Sequence, residues 1–275
     1  MSDHEQNISQ ILSDLETGVR DLFVSESYFH YLSVMARFHS YSLNNTMLIY
    51  RQFPAATYVA GFGVWTKTFS RRIRRGEKGI RILAPVIRRS RVMDEETERY
   101  EKRVAGFRAV TVFDISQTEG EELPLSLCQA VNTEVKDYDR FLQALLLVSP
   151  VPVIFEEITT GANGFFRPID RDIHIRTGMP QAQTIRTLLH EISHALLHAS
   201  LSASDMVSAM RREVEAESVS YAVCSYYGIR TDAYSFGYIA GWSEGQELSV
   251  LRQSLETIRR TAEHLIRLID TVLFP

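Results

Sequence analysis

Apolar residues recur at helical spacing along most of this 275-residue chain, and they alternate with polar residues in a few short stretches. The first pattern predicts amphipathic helices and the second predicts strands. The predicted helical segments are 7–38 (as two helices), Ser42 to the residue before Pro54, 134–146, 180–198, 203–227 and 247–273. The predicted strands are 80–87, 107–115, 151–155, 164–166 and 173–175.

These elements predict an α+β protein with two domains. Strand 107–115 is expected to pair with 80–87 in a small antiparallel sheet, with the charged segment 94–103 at the hairpin tip. The composition changes between Pro124 and about residue 132, which is typical of a linker. We therefore expect an N-terminal α+β domain over 1–128 and a mostly helical C-terminal domain with a small sheet over 129–275.

Overall composition is that of an ordinary globular protein, with 45% hydrophobic and 23% charged residues and a net charge of −4. The two cysteines, Cys128 and Cys224, lack metal-binding spacing and fit a reduced compartment. The N-terminus is polar rather than signal-like, and no apolar run approaches the length of a membrane span. These features predict a cytoplasmic protein with no membrane partner.

The helical segment 180–198 contains the sequence His190-Glu191-Ile192-Ser193-His194. Residues four apart share a helix face, so both imidazoles can bind one metal ion while Glu191 reaches a water on it. This is the arrangement of zinc hydrolases, in which the carboxylate is the general base. The alternative is that these are ordinary, partly buried histidines; the apolar helix around them and a downstream acidic helix favour the metal site.

A third ligand is expected from the following helix, where Glu213 and Glu217 share a face and Glu215 lies opposite. Glu217 is the first choice because it lies deepest among apolar residues, and a buried carboxylate needs a partner. Glu213 is the second choice, or a group that orients one histidine. His198 continues the histidine face and is expected at the rim. Surface ion pairs remain the alternative for Glu213 and Glu215.

Residues 65–91 are strongly basic, with Glu77 as the only acid, in contrast to the acidic whole. Arginines with nearby aromatic residues are typical of single-strand binding surfaces, where cations follow phosphates and aromatic rings stack on bases. The aromatic residues near this stretch are Tyr41, Tyr50, Tyr58, Phe62, Trp65 and Phe69. The alternative is a solvated basic face over an aromatic core. The candidate DNA-binding residues are Tyr41, Asn44, Asn45, Gln52, Trp65, Lys67, Arg71, Arg72, Arg74, Arg75 and Lys78.

Several motifs in the N-terminal half resemble ArdC-type antirestriction proteins. They are Tyr41-Ser42-Leu43-Asn44-Asn45-Thr46-Met47-Leu48-Ile49, then Gln52, Pro54 and Trp65, then Arg75-Gly76-Glu77-Lys78-Gly79-Ile80, and Val112-Phe113-Asp114-Ile115-Ser116-Gln117-Thr118. The resemblance implies a single-stranded-DNA-binding N-terminal domain, a zincin-like metallopeptidase C-terminal domain and an origin on mobile elements. The C-terminal half also resembles the ImmA/IrrE metallopeptidase-like group, whose third-ligand signature is similar to Glu217-Ser218-Val219-Ser220-Tyr221-Ala222.

The leading hypothesis is a single-stranded-DNA-binding antirestriction protein with a Zn²⁺ peptidase site held by His190, His194 and Glu217. Other divalent transition metals suit the same ligands. Tyr234 or Tyr238 is a candidate for stabilising the oxyanion. The alternatives are a DNA-protecting protein with a purely structural metal site, or a regulatory protease that cleaves one repressor or antitoxin. The expected partners are single-stranded DNA and a protein or peptide substrate.

Overall fold

A computed structural model describes residues 15–19, 21–23, 27–94, 99–123, 137–199, 208–229 and 236–275. The helices are α1 (Ser27–Arg37), α2 (Leu43–Gln52), α3 (Phe62–Lys67), α4 (Tyr138–Val148), α5 (Gln181–His198), α6 (Ala209–Tyr226), α7 (Phe236–Ser243) and α8 (Leu248–Leu273). The strands are β1 (Val59–Gly61), β2 (Arg71–Ile73), β3 (Ile80–Asp94), β4 (Arg99–Asp114), β5 (Thr118–Gly120), β6 (Val153–Glu156), β7 (Gly164–Arg167) and β8 (Asp172–Arg176).

The chain divides into two compact units of mixed helix and sheet, which confirms the α+β fold. Unit 1 groups residues up to Gly18 with Asn44–Leu123, and unit 2 groups Val19–Leu43 with Pro124–Pro275. This division differs from the expected domains because α1 belongs to unit 2. There it packs on α6, with the hydroxyl groups of Tyr28 and Ser218 2.9 Å apart. The expected boundary after residue 128 lies outside the described residues.

Unit 1 is built on an antiparallel sheet with strand order β1-β4-β3 and a two-stranded β2-β5 sheet. The predicted pairing of β3 with β4 is confirmed, but both strands extend into the segment expected to be the hairpin tip. Residues 95–98 of that tip lie outside the described residues. Within the described part of the chain β3 has no strand on its outer side, and there the side chains of Asn45 and Gln52 from α2 bond the Leu83 and Arg81 peptide groups.

A buried polar junction closes unit 1 around Asp114. Its carboxylate accepts hydrogen bonds from the backbone N–H groups of Thr57 (2.7 Å), Tyr58 (2.9 Å) and Ser116 (2.9 Å). Gln117 completes a capping box by accepting from the Asp114 N–H at 2.9 Å, and its amide donates to the Lys78 carbonyl at 2.8 Å. The basic turn is thus fixed against the end of β4.

Unit 2 places a three-stranded sheet, with order β6-β8-β7, against the helices that carry the histidines. Strand β8 pairs parallel with β6 and antiparallel with β7, so β7 is an edge strand of the sheet formed by the described residues. Gly164 at the start of β7 lies so close to α5 that an added Cβ would come within 2.8 Å of the Thr187 methyl group. This close approach brings β7 beside the histidine face of α5.

Helices α5 and α6 pack together and have buried apolar faces, as the sequence predicts. The Ser220 hydroxyl donates to the Arg186 carbonyl across this contact at 3.0 Å. Helix α8 is strongly amphipathic and closes the other side of α6, where the Tyr227 hydroxyl donates to Asp270 at 2.7 Å. Among the described residues, no helix is long and apolar enough to cross a membrane.

Candidate functional site

The two histidines of the HExxH motif lie one turn apart on α5 and face the same way. Their Nε2 atoms are 3.0 Å apart, and both side chains are only slightly exposed. The helix is held in place by Leu188, Leu189 and Ile192, which are fully buried. The predicted convergence of His190 and His194 is therefore present in the fold.

The third group at this point is Glu213 of α6, not Glu217. One carboxylate oxygen of Glu213 lies 3.4 Å from His190 Nε2 and the other lies 3.4 Å from His194 Nε2. The three ligand atoms lie within 4.8 Å of one another. Two atoms bound tetrahedrally at about 2.0–2.1 Å from a zinc ion are about 3.3–3.4 Å apart, so these spacings fit one ion.

Glu217 lies one turn further along α6, behind His190. Its carboxylate is 3.1 Å from His190 Nδ1, the ring nitrogen that faces away from Glu213, and it also forms an ion pair with Arg186. The expectation that Glu217 is the third ligand does not fit this geometry. The physical reason is that Arg186, an α5 residue that the sequence analysis overlooked, holds the Glu217 carboxylate on the outer side of the ring.

A second set of contacts lies behind the other histidine. His194 Nδ1 is 3.0 Å from His198 Nδ1, and His198 Nε2 faces the Glu215 carboxylate at 3.7 Å. Glu215 is buried and accepts a hydrogen bond from Arg211 at 2.7 Å. Glu215 is therefore an interior residue behind the site, not the surface ion pair that was the alternative for it.

Glu191 is buried at the wall of a cavity of about 480 Å³. The cavity is lined by Gly164, Phe165, Phe166, Pro168, His190, Glu191, His194, His198, Arg212 and Glu213. Burial raises the pKa of Glu191, while the neighbouring imidazoles and the Phe166 backbone N–H act against the rise. A carboxyl group with a raised pKa, beside the histidine pair and open to a cavity, is suited to proton transfer.

The electrostatics of the cluster are dominated by the histidine–carboxylate contacts. Burial alone lowers the pKa of His190, but hydrogen bonds to Glu213 and Glu217 outweigh it and raise the pKa to about 9. The same contacts lower the pKa of Glu213. Burial lowers the pKa of His198, which favours its neutral form. Without a metal ion, the positive charge of protonated His190 therefore offsets the negative charges of Glu213 and Glu217.

Four predicted DNA-binding residues have structural roles instead. The Trp65 side chain is fully buried, and its indole N–H donates to the Phe113 carbonyl at 2.9 Å. The Asn45 amide donates to and accepts from the Leu83 backbone, and the Gln52 amide does the same with Arg81, all at 2.9 Å. Arg71 bonds Thr118 Oγ1 at 2.8 Å and the β5 backbone. These contacts hold unit 1 together and engage these side chains within the protein.

The remaining candidates differ in how far their side chains are engaged. Arg72 forms an ion pair with Glu119 at 2.7 Å, and Arg74 forms one with Glu77 at 2.9 Å. Tyr41, in unit 2, packs edge-on against Phe38, and Asn44 is half-buried. Lys67, Arg75 and Lys78 are exposed and have no ion-pair partner within the described part of the chain.

Two aromatic residues are exposed in unit 1: Phe62, which the sequence places beside the basic stretch, and Phe107, which the sequence analysis did not select for DNA binding. Phe62 at the start of α3 is 60% exposed and Phe107 on β4 is 56% exposed. The signal for Phe107 was its outward position in the alternation of β4, opposite Pro85. Of the two candidate oxyanion residues, Tyr234 and the side chain of Tyr238 lie outside the described part of the structure.

The chain is similar to a known domain family and to solved structures. A family model for the N-terminal domain of anti-restriction factor ArdC matches residues 2–113. The metal-free crystal structure of the antirestriction ArdC protein from plasmid R388 is 20% identical, with a TM-score of 0.52 over 90% of this chain and 97% of that one. The Mn(II)-bound structure is 19% identical, with a TM-score of 0.50 over 85% of each chain.

A curated relative, an uncharacterized protein of Bacillus anthracis, is 27% identical over 307 aligned residues. The alignment covers 97% of this chain and 52% of the relative, so the chain spans about half the length of that protein. The motifs, the family model and the shared fold agree. Residues 2–113 belong to the ArdC N-terminal domain family, and 90% of the chain shares the fold of the R388 ArdC protein.

Proposed function

We propose that this chain is an antirestriction protein of mobile elements that binds single-stranded DNA through unit 1 and carries a metal-dependent peptidase site in unit 2. The observation that carries the proposal is the convergence of His190, His194 and Glu213 at a cavity that also contains Glu191. The ArdC-type fold supports the antirestriction role. Action on DNA entering a cell fits the cytoplasmic location expected from the sequence.

The donor set suits a divalent transition metal. Two imidazoles and one carboxylate are the ligands of many catalytic zinc sites, and the cavity leaves room for a water or a substrate group. Zn²⁺ is the first choice, and Mn²⁺, Co²⁺ or Fe²⁺ can use the same ligands. The Mn(II)-bound structure of the R388 protein supports metal binding in this fold.

The residues around the ligands can perform amide hydrolysis. A bound metal ion supplies Lewis-acid activation, which lowers the pKa of a water toward neutrality. Glu191 takes one proton from the attacking water and delivers it to the leaving nitrogen as the C–N bond breaks. Glu217 and His198 hold the outer nitrogens of His190 and His194, respectively, and so fix the ring orientations.

Strand β7 offers a binding surface for an extended peptide. It is the edge of its sheet, and Gly164, Phe165 and Phe166 line the same cavity as Glu191. A peptide added to this edge as a further strand would lie with its backbone beside the catalytic carboxylate. This supports a peptide or protein as the substrate.

The peptidase proposal is tested with the Glu191→Gln variant of the full chain, loaded with Zn²⁺. We expect it to bind Zn²⁺ as the parent chain does and to lose cleavage of fluorescein-labelled denatured casein, because the amide cannot accept the proton. Glu157→Gln, a change at an exposed glutamate, is the matched control and should leave both properties unchanged. Continued cleavage by Glu191→Gln would remove the proposed mechanism.

The DNA-binding proposal now depends on the exposed cations Lys67, Arg75 and Lys78 with the exposed rings of Phe62 and Phe107. Exposed cations contact phosphates, and exposed rings stack on bases with little sequence preference. All five residues lie in unit 1. This set replaces the buried Trp65 and the engaged amides of Asn45 and Gln52 as the candidate interface.

We would measure binding of a labelled single strand by fluorescence anisotropy across a salt series. Changing Lys67, Arg75 and Lys78 together to Glu should weaken binding and flatten the log–log salt slope by about two, since each phosphate contact contributes about 0.7. A control with glutamates at the exposed unit 2 residues Arg171, Arg260 and Arg267 should leave the slope unchanged. Equal slopes for all three proteins would contradict this interface.

A further inference from the structure

Three arginines surround the histidine–glutamate cluster, and two of them are paired with carboxylates. Arg186 of α5 forms an ion pair with Glu217, and Arg211 of α6 bonds Glu215 at 2.7 Å. Arg212, the next residue along α6, lines the cavity itself. The three side chains thus have different surroundings, although they are close to the same site.

Arg212 is half-buried and has no carboxylate partner among the residues that the structure describes. The neighbouring Glu213 directs both of its oxygens at the imidazoles. The charge of Arg212 acts on His198, whose pKa it helps to lower. A partly buried guanidinium without an anion is unfavourable, because desolvation is not offset by a charged hydrogen bond.

The cavity has an apolar wall as well as this cation. Phe165, Phe166 and Pro168 come from β7 and the turn after it, whereas Arg212 comes from α6. With both imidazoles neutral, as metal binding requires, the charges of the lining are two carboxylates, Glu191 and Glu213, against the one guanidinium. A divalent ion reverses this balance to a net positive charge, so the loaded cavity favours an anionic ligand.

We propose that Arg212 binds an acidic side chain of the peptide substrate, close to the bond that Glu191 helps to cleave. The planar guanidinium offers a pair of parallel donors that match a carboxylate, and the apolar wall accommodates the rest of the chain. This inference rests on the proposed peptidase function and adds a substrate class to it: peptides with Asp or Glu near the scissile bond.

The test uses the Zn²⁺-loaded full chain and quenched-fluorescent peptide pools with acetylated N-termini and amidated C-termini. Each set of three pools defines one position of the peptide as Glu, Gln or Lys, and different sets define different positions. At the position that contacts Arg212, kcat/KM should be about 10- to 100-fold higher for Glu than for Gln, the range expected for a hydrogen bond to a charged group. In Arg212→Gln the ratio should fall to about one, and Arg212→Glu should favour Lys.

A binding measurement separates recognition from turnover. In the Glu191→Gln background, anisotropy of labelled Glu and Gln peptides should show the same preference, and adding Arg212→Gln should remove it. Arg260→Gln, at a 73% exposed residue of α8, is the matched control for loss of one positive charge. Zn²⁺ binding by Arg212→Gln verifies that the site is still assembled.

Each outcome decides between the assignments. A Glu preference that survives Arg212→Gln, or no preference in the parent chain, overturns the role of Arg212 and leaves the peptidase function standing. The pools are also synthesised with free C-termini; cleavage that depends on Arg212 only in these pools would assign Arg212 to a terminal carboxylate and overturn the side-chain assignment. If no pool is cleaved and no peptide binds, the proposed peptidase function fails and this inference fails with it.

Discussion

Replacing His198 tests how the proposed metal ligands are held. For His194 Nε2 to present a lone pair to a metal ion, the ring proton must be on Nδ1, where it donates to His198 Nδ1 at 3.0 Å. The proton of His198 is then on Nε2, which faces Glu215 at 3.7 Å. One chain of contacts from Glu215 through His198 to His194 therefore selects the metal-binding tautomer of His194.

The loss in Zn²⁺ affinity depends on which group replaces His198 as the hydrogen-bond acceptor for His194 Nδ1. Loss of a group behind a metal-binding histidine typically costs 10- to 100-fold in affinity, or about 1.4–2.8 kcal/mol. His198 lines the cavity, so in His198→Ala a water can accept the His194 proton. We therefore expect His198→Ala near the lower end, about tenfold. His198→Phe fills the space and excludes water, so its loss should be nearer the upper end, about 100-fold.

The assay is competitive Zn²⁺ titration with a chromophoric chelator, together with the imidazole ¹⁵N shifts of His194. His198→Asn should retain most of the affinity, because its amide oxygen can take the place of Nδ1 as the acceptor. His264→Ala, at an exposed histidine of α8, should match the parent chain. The reasoning is refuted if Phe, Ala and Asn at position 198 give the same affinity, since that pattern would indicate packing alone.

Three further changes test other parts of the structure. Apparent Zn²⁺ affinity should rise by up to about tenfold per pH unit between pH 6.5 and about 9, because binding displaces the proton that the raised pKa holds on His190. Without metal, the positive charge of His190 stabilises the folded state below pH 6.5. Chemical denaturation should show that this stabilisation is lost as the pH rises through about 9. Glu213→Gln should lose more than 100-fold in Zn²⁺ affinity and Glu217→Gln about tenfold, and the reverse order in calorimetric titration would restore Glu217 as the ligand. Asn45→Ala should lower the free energy of unfolding by about 1–3 kcal/mol and Gln52→Ala by less, since the bonds of Gln52 to β3 are exposed to water; equal losses in urea denaturation would contradict this reading.

The helix carrying the motif could be predicted because local pattern determines it. Two histidines four apart on an apolar helix must share a face, whatever surrounds them. The strand pair β3–β4 was predicted for a similar reason, since alternation sets the inward face of each strand. Strands β2 and β5 were missed because each has only three residues, and the charged sequence Arg71–Ile73 has no apolar alternation.

The choice between Glu213 and Glu217 depended on a partner that helical periodicity cannot show. Both glutamates lie on the same face of α6, and Glu217 has the more apolar neighbours in sequence. The structure distinguishes them because Arg186 pairs with Glu217 and keeps it behind the His190 ring. Burial favoured Glu217, whereas the carboxylate that lies against both Nε2 atoms, that of Glu213, is the more exposed of the two.

Most of the motif residues that make unit 1 similar to ArdC have structural roles in the fold of unit 1. Asn45 and Gln52 lie seven residues apart on α2 and bond Leu83 and Arg81, two residues apart on the edge of β3. A side-chain amide carries one donor and one acceptor and can therefore pair with a strand edge as another strand would. The rest of the motif set follows the same logic, since Trp65, Asp114 and Gln117 are all buried with their polar atoms engaged. Side chains engaged in this way are not available to a ligand, so DNA contacts are to be sought at exposed side chains that make no such bonds, such as Lys67, Lys78 and Phe107.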